Sequence, residues 1–119
     1  MTTHRMLIRS RPFNAIKNKT KTIEVRANKR VGQLDYSKIR AGDLIIFINQ
    51  ETHRQLICTV ERVTHYADLR TLLTTERTNN TLSSGGDIDA GIKSIEAITD
   101  YKKVIKEKGA FAIKIRLLV

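Results

Sequence analysis

The sequence predicts a single α+β domain in which about five strands form a curled or closed sheet flanked by short helices. A chain of 119 residues has the size of one domain. Its hydrophobic share of 40% and charged share of 29% are typical of a globular chain. Strand patterns also outnumber helical ones, so that little helix is left to cover the sheet, and such a sheet has to curl.

Five segments have the composition of strands, namely residues 6–8, 21–27, 43–48, 55–63 and 111–117. The second alternates strictly, with Ile23 and Val25 on one face and Glu24 and Arg26 on the other. This period of two predicts a strand that buries only one face.

The third and fourth strands are predicted to form a hairpin. Residues 43–48 (DLIIFI) are a continuous apolar run, which predicts a strand buried on both faces. The polar residues 49–54 follow as a turn, and 55–63 return as the partner strand. Cys58 lies on the apolar face of that strand, so we predict a core thiol rather than a reactive one.

Three short helices are predicted around the sheet. The first begins near Pro12, which suits the first turn of a helix, and the second spans 68–75. The third begins at Ser94 as N-cap, continues through residues 95–105 and ends at Gly109. Residues 28–42 and 76–93 are predicted to be loops.

The charge is large and uneven. The formal net charge is +10, and residues 1–54 hold 12 Lys or Arg against 4 Asp or Glu, whereas 55–119 hold 10 against 8. This asymmetry favours a phosphate-bearing partner, while the alternative is a domain that is merely basic. Six aromatic residues are few for a base-stacking platform.

The sequence also predicts the compartment. A lone cysteine, Cys58, cannot form an intramolecular disulfide, which favours a reducing compartment. No segment has the ~18 apolar residues that a membrane span needs. We therefore expect a cytoplasmic protein without a membrane partner, and the sequence leaves its oligomeric state open.

Several chemistries lack their motifs. His4, His53 and His65 have no metal-ligand spacing and no CxxC beside them. Gly85-Gly86 precedes acidic residues instead of GK[ST], and no GxSxG motif occurs. The sequence therefore predicts neither a metal site nor a cofactor.

Several segments together resemble the ASCH domain family of the PUA-like superfamily. They are RPFNAIKNKTKTIEVRAN, KIRAGDLIIF, VERVTHYADLRTLLTTE and GAFAIKIRLL, in that order and spacing over nearly the whole chain. The resemblance implies a PUA-like β-barrel flanked by helices. It also implies a cleft that binds RNA, a nucleotide or a modified nucleoside.

The candidate binding residues surround the second strand. Lys21, Glu24 and Arg26 would lie at the barrel mouth, where fixed charges can donate to and accept from a base edge or a phosphate. The predicted phosphate contacts are Lys17, Lys19, Lys29, Arg30 and Lys38. The alternative is an exposed Glu24–Arg26 salt bridge on a solvated strand face, which would contribute little stability.

A narrower resemblance points to a hydrolase of acylated cytidine or of RNA. The small acetylcytidine amidohydrolases of the superfamily are thought to use a Lys, a Thr three residues later and a distant Glu. Here Lys21 matches, Glu24 stands where the Thr is expected, and Glu76 is the candidate distant acid. A carboxylate can activate water but does not replace a hydroxyl nucleophile.

Two further expectations complete the prediction. Lys19 stands where the family usually has a glycine, and we expect Asn18 to take the left-handed conformation there. The charged candidates Lys21, Glu24, Arg26 and Glu76 should gather around one concave site. A protein-interaction adaptor is the third alternative, favoured only if the cleft is shallow and no nucleic acid binds.

Overall fold

A computed structural model describes residues 1–28, 34–82 and 86–118. Lys29 and Arg30, two of the predicted phosphate contacts, lie outside the described residues. The elements are β1 (Thr3–Ile8), α1 (Ser10–Lys17), β2 (Ile23–Arg26), a 3-10 helix (Tyr36–Lys38), β3 (Leu44–Asn49), β4 (Gln55–Tyr66), α2 (Leu69–Glu76), α3 (Thr78–Thr81), α4 (Ile88–Glu96), α5 (Tyr101–Lys108) and β5 (Ala110–Leu118). Within the three described ranges, no helix has the length and apolar character that crossing a bilayer requires.

The five strands form one sheet in the order β1-β3-β4-β5-β2. β1 pairs with β3 in parallel, and the other neighbours are antiparallel. The two edge strands, β1 and β2, approach each other: the Arg26 guanidinium of β2 donates a hydrogen bond of 3.1 Å to the carbonyl oxygen of Leu7 in β1. The sheet is therefore curled into a half-barrel, which confirms the predicted fold class.

Two apolar cores hold the fold together. One fills the curl and includes Ile16, Ile45, Phe47, Cys58 and Ile113. The other lies between the sheet and the helices and includes Ile23, Leu69, Leu72, Ile95 and Ile105. Cys58 has no exposed surface, and burial raises the pKa of its thiol to about 12, so the prediction of a core cysteine is confirmed.

The prediction that residues 43–48 are buried on both faces is wrong. In β3 the buried residues Ile45 and Phe47 alternate with Ile46 and Ile48, which are only half-buried. The outward positions of this strand pack next to Ile57 of β4, which is 43% exposed. One face of the strand thus points into the curl and the other outward.

The bounds predicted for the third helix are also wrong, because two helices, α4 and α5, stand in its place. A cap appears earlier than predicted, because the Asp87 side chain accepts a hydrogen bond from the Ala90 backbone N–H at 2.7 Å. Helix α4 therefore starts inside the predicted loop 76–93 and ends at Glu96, and α5 follows after Asp100, whose φ is 68°. The break turns Ile98 outward, where it is 45% exposed. The predicted cap at Gly109, with φ of 75°, is confirmed.

Candidate binding cleft

A cleft of about 670 Å³ opens where the start of β2 meets β4, β5 and the α2–α3 corner. Its lining residues, called the cleft from here on, are Ile16, Lys19, Lys21, Thr22, Ile23, Glu61, Arg62, Thr75, Glu76, Arg77, Asn80, Lys114, Ile115, Arg116 and Leu117. Backbone hydrogen bonds fix this meeting point. Thr22 donates to the Asn80 carbonyl at 3.0 Å, and Ile115 donates to the Thr22 carbonyl at 2.9 Å.

A bulge in β4 directs two adjacent side chains into the cleft. The register with β5 runs from Val60 opposite Ile115 to Arg62 opposite Lys114, which leaves Glu61 as the extra residue. In a regular strand, neighbouring side chains point to opposite faces. The irregularity explains why both Glu61 and Arg62 line the cleft.

Lys21 is the buried cation of the cleft. Its side chain is 6% exposed, and its ammonium donates to the carbonyl oxygen of Thr81 in α3 and lies 3.3 Å from Oε1 of Glu24. Burial lowers the pKa of Lys21, and the neighbouring Glu24 carboxylate opposes that shift. The side chain therefore links the start of β2 to α3 at the cleft wall.

Glu24 and Arg26 lie behind Lys21 and outside the cleft lining. Glu24 is buried, and Nε of Arg26 donates to its Oε2 at 2.7 Å. Burial alone would raise the pKa of the Glu24 carboxyl, but the charges of Arg26 and Lys21 lower it. The alternative of an exposed Glu24–Arg26 salt bridge on a solvated face is wrong, because Glu24 is buried and balances two cations. Neither Glu24 nor Arg26 lines the cleft as predicted.

Glu76, at the end of α2, lines the cleft, and its carboxylate accepts three hydrogen bonds. Arg62 donates two hydrogen bonds to its carboxylate, at 2.8 and 2.6 Å, and the Tyr66 hydroxyl donates a third at 2.5 Å. The Arg62 hydrogen bonds lower the pKa of Glu76, and burial opposes them. Of the four candidates predicted to gather, Lys21 and Glu76 reach the cleft.

Sequence reasoning missed Arg62 and Tyr66. They lie four residues apart on β4, so that alternation puts them on the same face of the strand. That spacing is the signal that could have found them. Their common partner, Glu76, comes from the following helix.

Lys19 follows α1 in the left-handed conformation, with φ of 65°, whereas Asn18 is right-handed with φ of −82°. The prediction for Asn18 is therefore wrong by one residue. Lys19 and Thr20 donate backbone hydrogen bonds of 3.0 Å to the carbonyls of Ile16 and Ala15. This is the Schellman pattern, whose left-handed position is usually a glycine.

Arg77, at the α2–α3 corner, is a second cation with positive φ at the end of a helix. It ends α2 and precedes α3 with φ of 73° and ψ of 138°. Arg77 and Lys19 are both exposed and both line the cleft. Within the described ranges, neither has a carboxylate within ion-pair distance.

The remaining predicted contacts lie farther out. Lys17 is exposed at the end of α1 and Lys38 is exposed in the 3-10 helix, and neither belongs to the cleft lining. Two cations of β5 that were not predicted as contacts line the cleft instead, namely Arg116 and Lys114. Their nitrogens lie 3.8 and 3.6 Å from the Glu61 carboxylate.

These features define a class of α+β half-barrels with a charged cleft beside the sheet. The ASCH domain model matches residues 6–118, and the chain belongs to the ASCH domain family. It is similar to the crystal structure of the hypothetical protein PH0355, with a TM-score of 0.83 and 26% identity over 98% of this chain and 100% of that chain. The solution NMR structure of protein PF0455 from Pyrococcus furiosus has a TM-score of 0.74 and 26% identity over 98% of both chains. Among curated proteins no match is found.

Proposed function

We propose that this ASCH domain binds RNA or a nucleotide in the cleft. The observation that carries the proposal is the charge of the lining, in which, among the residues that the structure describes, six basic side chains face two acidic ones. The basic residues are Lys19, Lys21, Arg62, Arg77, Lys114 and Arg116, and the acidic ones are Glu61 and Glu76. A concave surface with an excess of one charge attracts ligands of the opposite charge, and phosphate is the anion that nucleic acids present.

The size and the remaining lining suit a nucleotide. About 670 Å³ falls within the usual ~300–1,000 Å³ of small-molecule sites. Leu117 is partly exposed and offers apolar surface, and Asn80 can donate and accept hydrogen bonds as a base edge requires. The cleft thus combines apolar contact, a polar amide and cations in one place.

The hydrolase alternative has weaker support. A general base for water has to reach the substrate with a free lone pair and a pKa near the working pH. Glu24 is buried outside the lining, between Lys21 and Arg26, and Glu76 already accepts three hydrogen bonds. Because cations and hydrogen bonds lower both carboxyl pKa values, both groups are poor bases.

Fluorescence anisotropy with a labelled single-stranded RNA tests the proposal. Affinity should fall ~10-fold or more between about 50 and about 200 mM salt if a few phosphate contacts form. A Lys114→Gln, Arg116→Gln variant should bind more weakly and with a flatter salt dependence. The control is Lys102→Gln, Lys106→Gln, which removes the same charge from α5 outside the cleft.

Two results would contradict binding in the cleft. One is the absence of RNA binding even at the lower salt concentration. The other is an equal loss of affinity in the cleft variant and the α5 variant, which would mean that only net charge matters.

A further inference from the structure

Two of the six cations in the cleft differ from the other four. Lys21 is paired with Glu24, Arg62 with Glu76, and Lys114 and Arg116 with Glu61. Lys19 and Arg77 line the same cleft without a carboxylate in reach among the described residues. We propose that Lys19 and Arg77 form a phosphate subsite, so that the cleft selects a nucleotide over its nucleoside. This inference rests on the proposed function and names the part of the ligand that these two residues bind.

Charge balance assigns the phosphate to this pair. The paired cations can still donate hydrogen bonds, but neighbouring carboxylates offset part of their field, although Lys114 and Arg116 share the single carboxylate of Glu61. Lys19 and Arg77 contribute two positive charges that nothing described neutralises. A terminal phosphate carries about −1.5 to −2 charge and several acceptor oxygens, which two such cations match. The arginine can bind it through two parallel N–H groups.

The backbone of both residues supports a binding role. Among the described residues, four that are not glycine have positive φ, and two of them, Lys19 and Arg77, are the unpaired cations of the cleft. Glycine would be more stable at a Schellman position such as that of Lys19. Residues kept in unfavourable conformations cluster at binding and active sites.

Glycine substitution separates binding from folding. Lys19→Gly and Arg77→Gly remove the charge and the backbone strain together, so phosphate binding should fall while the melting temperature stays level or rises. His53→Gly is the matched control, because His53 has φ of 64° and lies outside the cleft lining. The melting temperature of the His53→Gly variant should stay level or rise, and its phosphate binding should not change.

The measurement is isothermal titration calorimetry with nucleoside 5′-monophosphates and the corresponding nucleosides. The parent protein should prefer the monophosphates by about tenfold or more, which corresponds to one good charged contact. The double glycine variant should lose that preference and keep its affinity for nucleosides. Lys19→Gln with Arg77→Gln, which retains both side-chain stems, should give the same binding result.

The results that would refute the phosphate subsite differ from those that would refute binding in the cleft. If the parent binds RNA and nucleosides but shows no preference for monophosphates, or if the double variants keep that preference, the phosphate subsite is refuted and the cleft proposal stands. If affinity for nucleosides and nucleotides falls together with the melting temperature, the two residues are structural. If the parent binds neither RNA nor any nucleotide, both proposals fail.

Discussion

The ammonium of Lys21 lies 3.3 Å from the carboxylate of Glu24, and both side chains are less than a tenth exposed. The other carboxylate oxygen accepts a hydrogen bond from Arg26, whose guanidinium also reaches the Leu7 carbonyl on the opposite sheet edge. One buried anion therefore balances two cations between the cleft and the point where the edge strands meet. Its role in the fold follows from this position.

Replacing Glu24 by Gln should destabilise the protein strongly. The substitution leaves Lys21 and Arg26 without their counter-charge, and breaking a buried ion pair from one side costs about 3–5 kcal/mol. Urea denaturation measures the change in the free energy of unfolding. Glu61→Gln is the control, because Glu61 pairs with Lys114 at 3.6 Å at a partly exposed site, and exposed pairs contribute only about 0–1 kcal/mol. Equal losses in the two variants would mean that Glu24 is not a buried counter-ion.

Glu76 should make the stability depend on pH in the acid range. Hydrogen bonds from Arg62 hold the pKa of this carboxyl below its value in the unfolded chain. Its contribution is therefore complete above the unfolded pKa and is lost as the pH falls through the folded one. Thermal unfolding of the parent and of Glu76→Gln between about pH 6 and about pH 3 tests this. The variant should be less stable near neutral pH, and the difference should shrink on acidification, whereas a constant difference would contradict the assignment.

Local patterns predicted most of the sheet. The alternation in β5 and the polar turn between β3 and β4 involve neighbouring residues only, and the structure confirms the strands there. The burial of Glu24 was not predictable in this way. Its burial depends on long-range contacts: Glu24 lies opposite Ile113 of β5, a residue of the core inside the curl, and its partner Lys21 donates a hydrogen bond to the Thr81 carbonyl sixty residues later. An alternating charge on a strand looks solvated until such a distant contact is known.

The cleft was predicted only in part for the same reason. The family resemblance gave Lys21 and Glu76, and both line the cleft. The four-residue spacing puts Arg62 and Tyr66 on one face of β4, but the bulge at Glu61 decides which face that is, and the bulge has no sequence marker such as a glycine. The break between α4 and α5 was missed because residues 95–105 keep an apolar period that fits one long helix.

Gly109→Ala should destabilise the protein through both the backbone and a clash. Gly109 ends α5 with φ of 75°, and a Cβ there would overlap the Tyr66 carbonyl and lie 2.6 Å from Nε2 of His65. The control is Gly42→Ala, because Gly42 has φ of 89° but open space around it. The control should lose about 1–2 kcal/mol from the backbone conformation alone. Gly109→Ala should lose clearly more, and equal losses in chemical denaturation would show that the contact relaxes without cost.

Turnover of acetylcytidine should be weak or undetectable in the native protein. Hydrolysis needs a nucleophile or an activated water at the amide carbon and a cation for the developing oxyanion. Lys21 lines the cleft and can serve as that cation, but Glu24, where related amidohydrolases are thought to have Thr, does not line it. Incubation with acetylcytidine, followed by chromatography of the deacetylated product, measures the activity.

The Glu24→Thr variant sharpens this test. The hydroxyl that the resemblance implies would be restored, and activity should rise if the pocket were preserved. The structure argues that it is not preserved, because Thr cannot balance the buried charges of Lys21 and Arg26. We therefore expect Glu24→Thr to lower the melting temperature and to leave turnover undetectable. Brisk turnover by the native protein that Lys21→Ala abolishes, with the variant still folded by circular dichroism, would instead establish an amidohydrolase that uses a carboxylate.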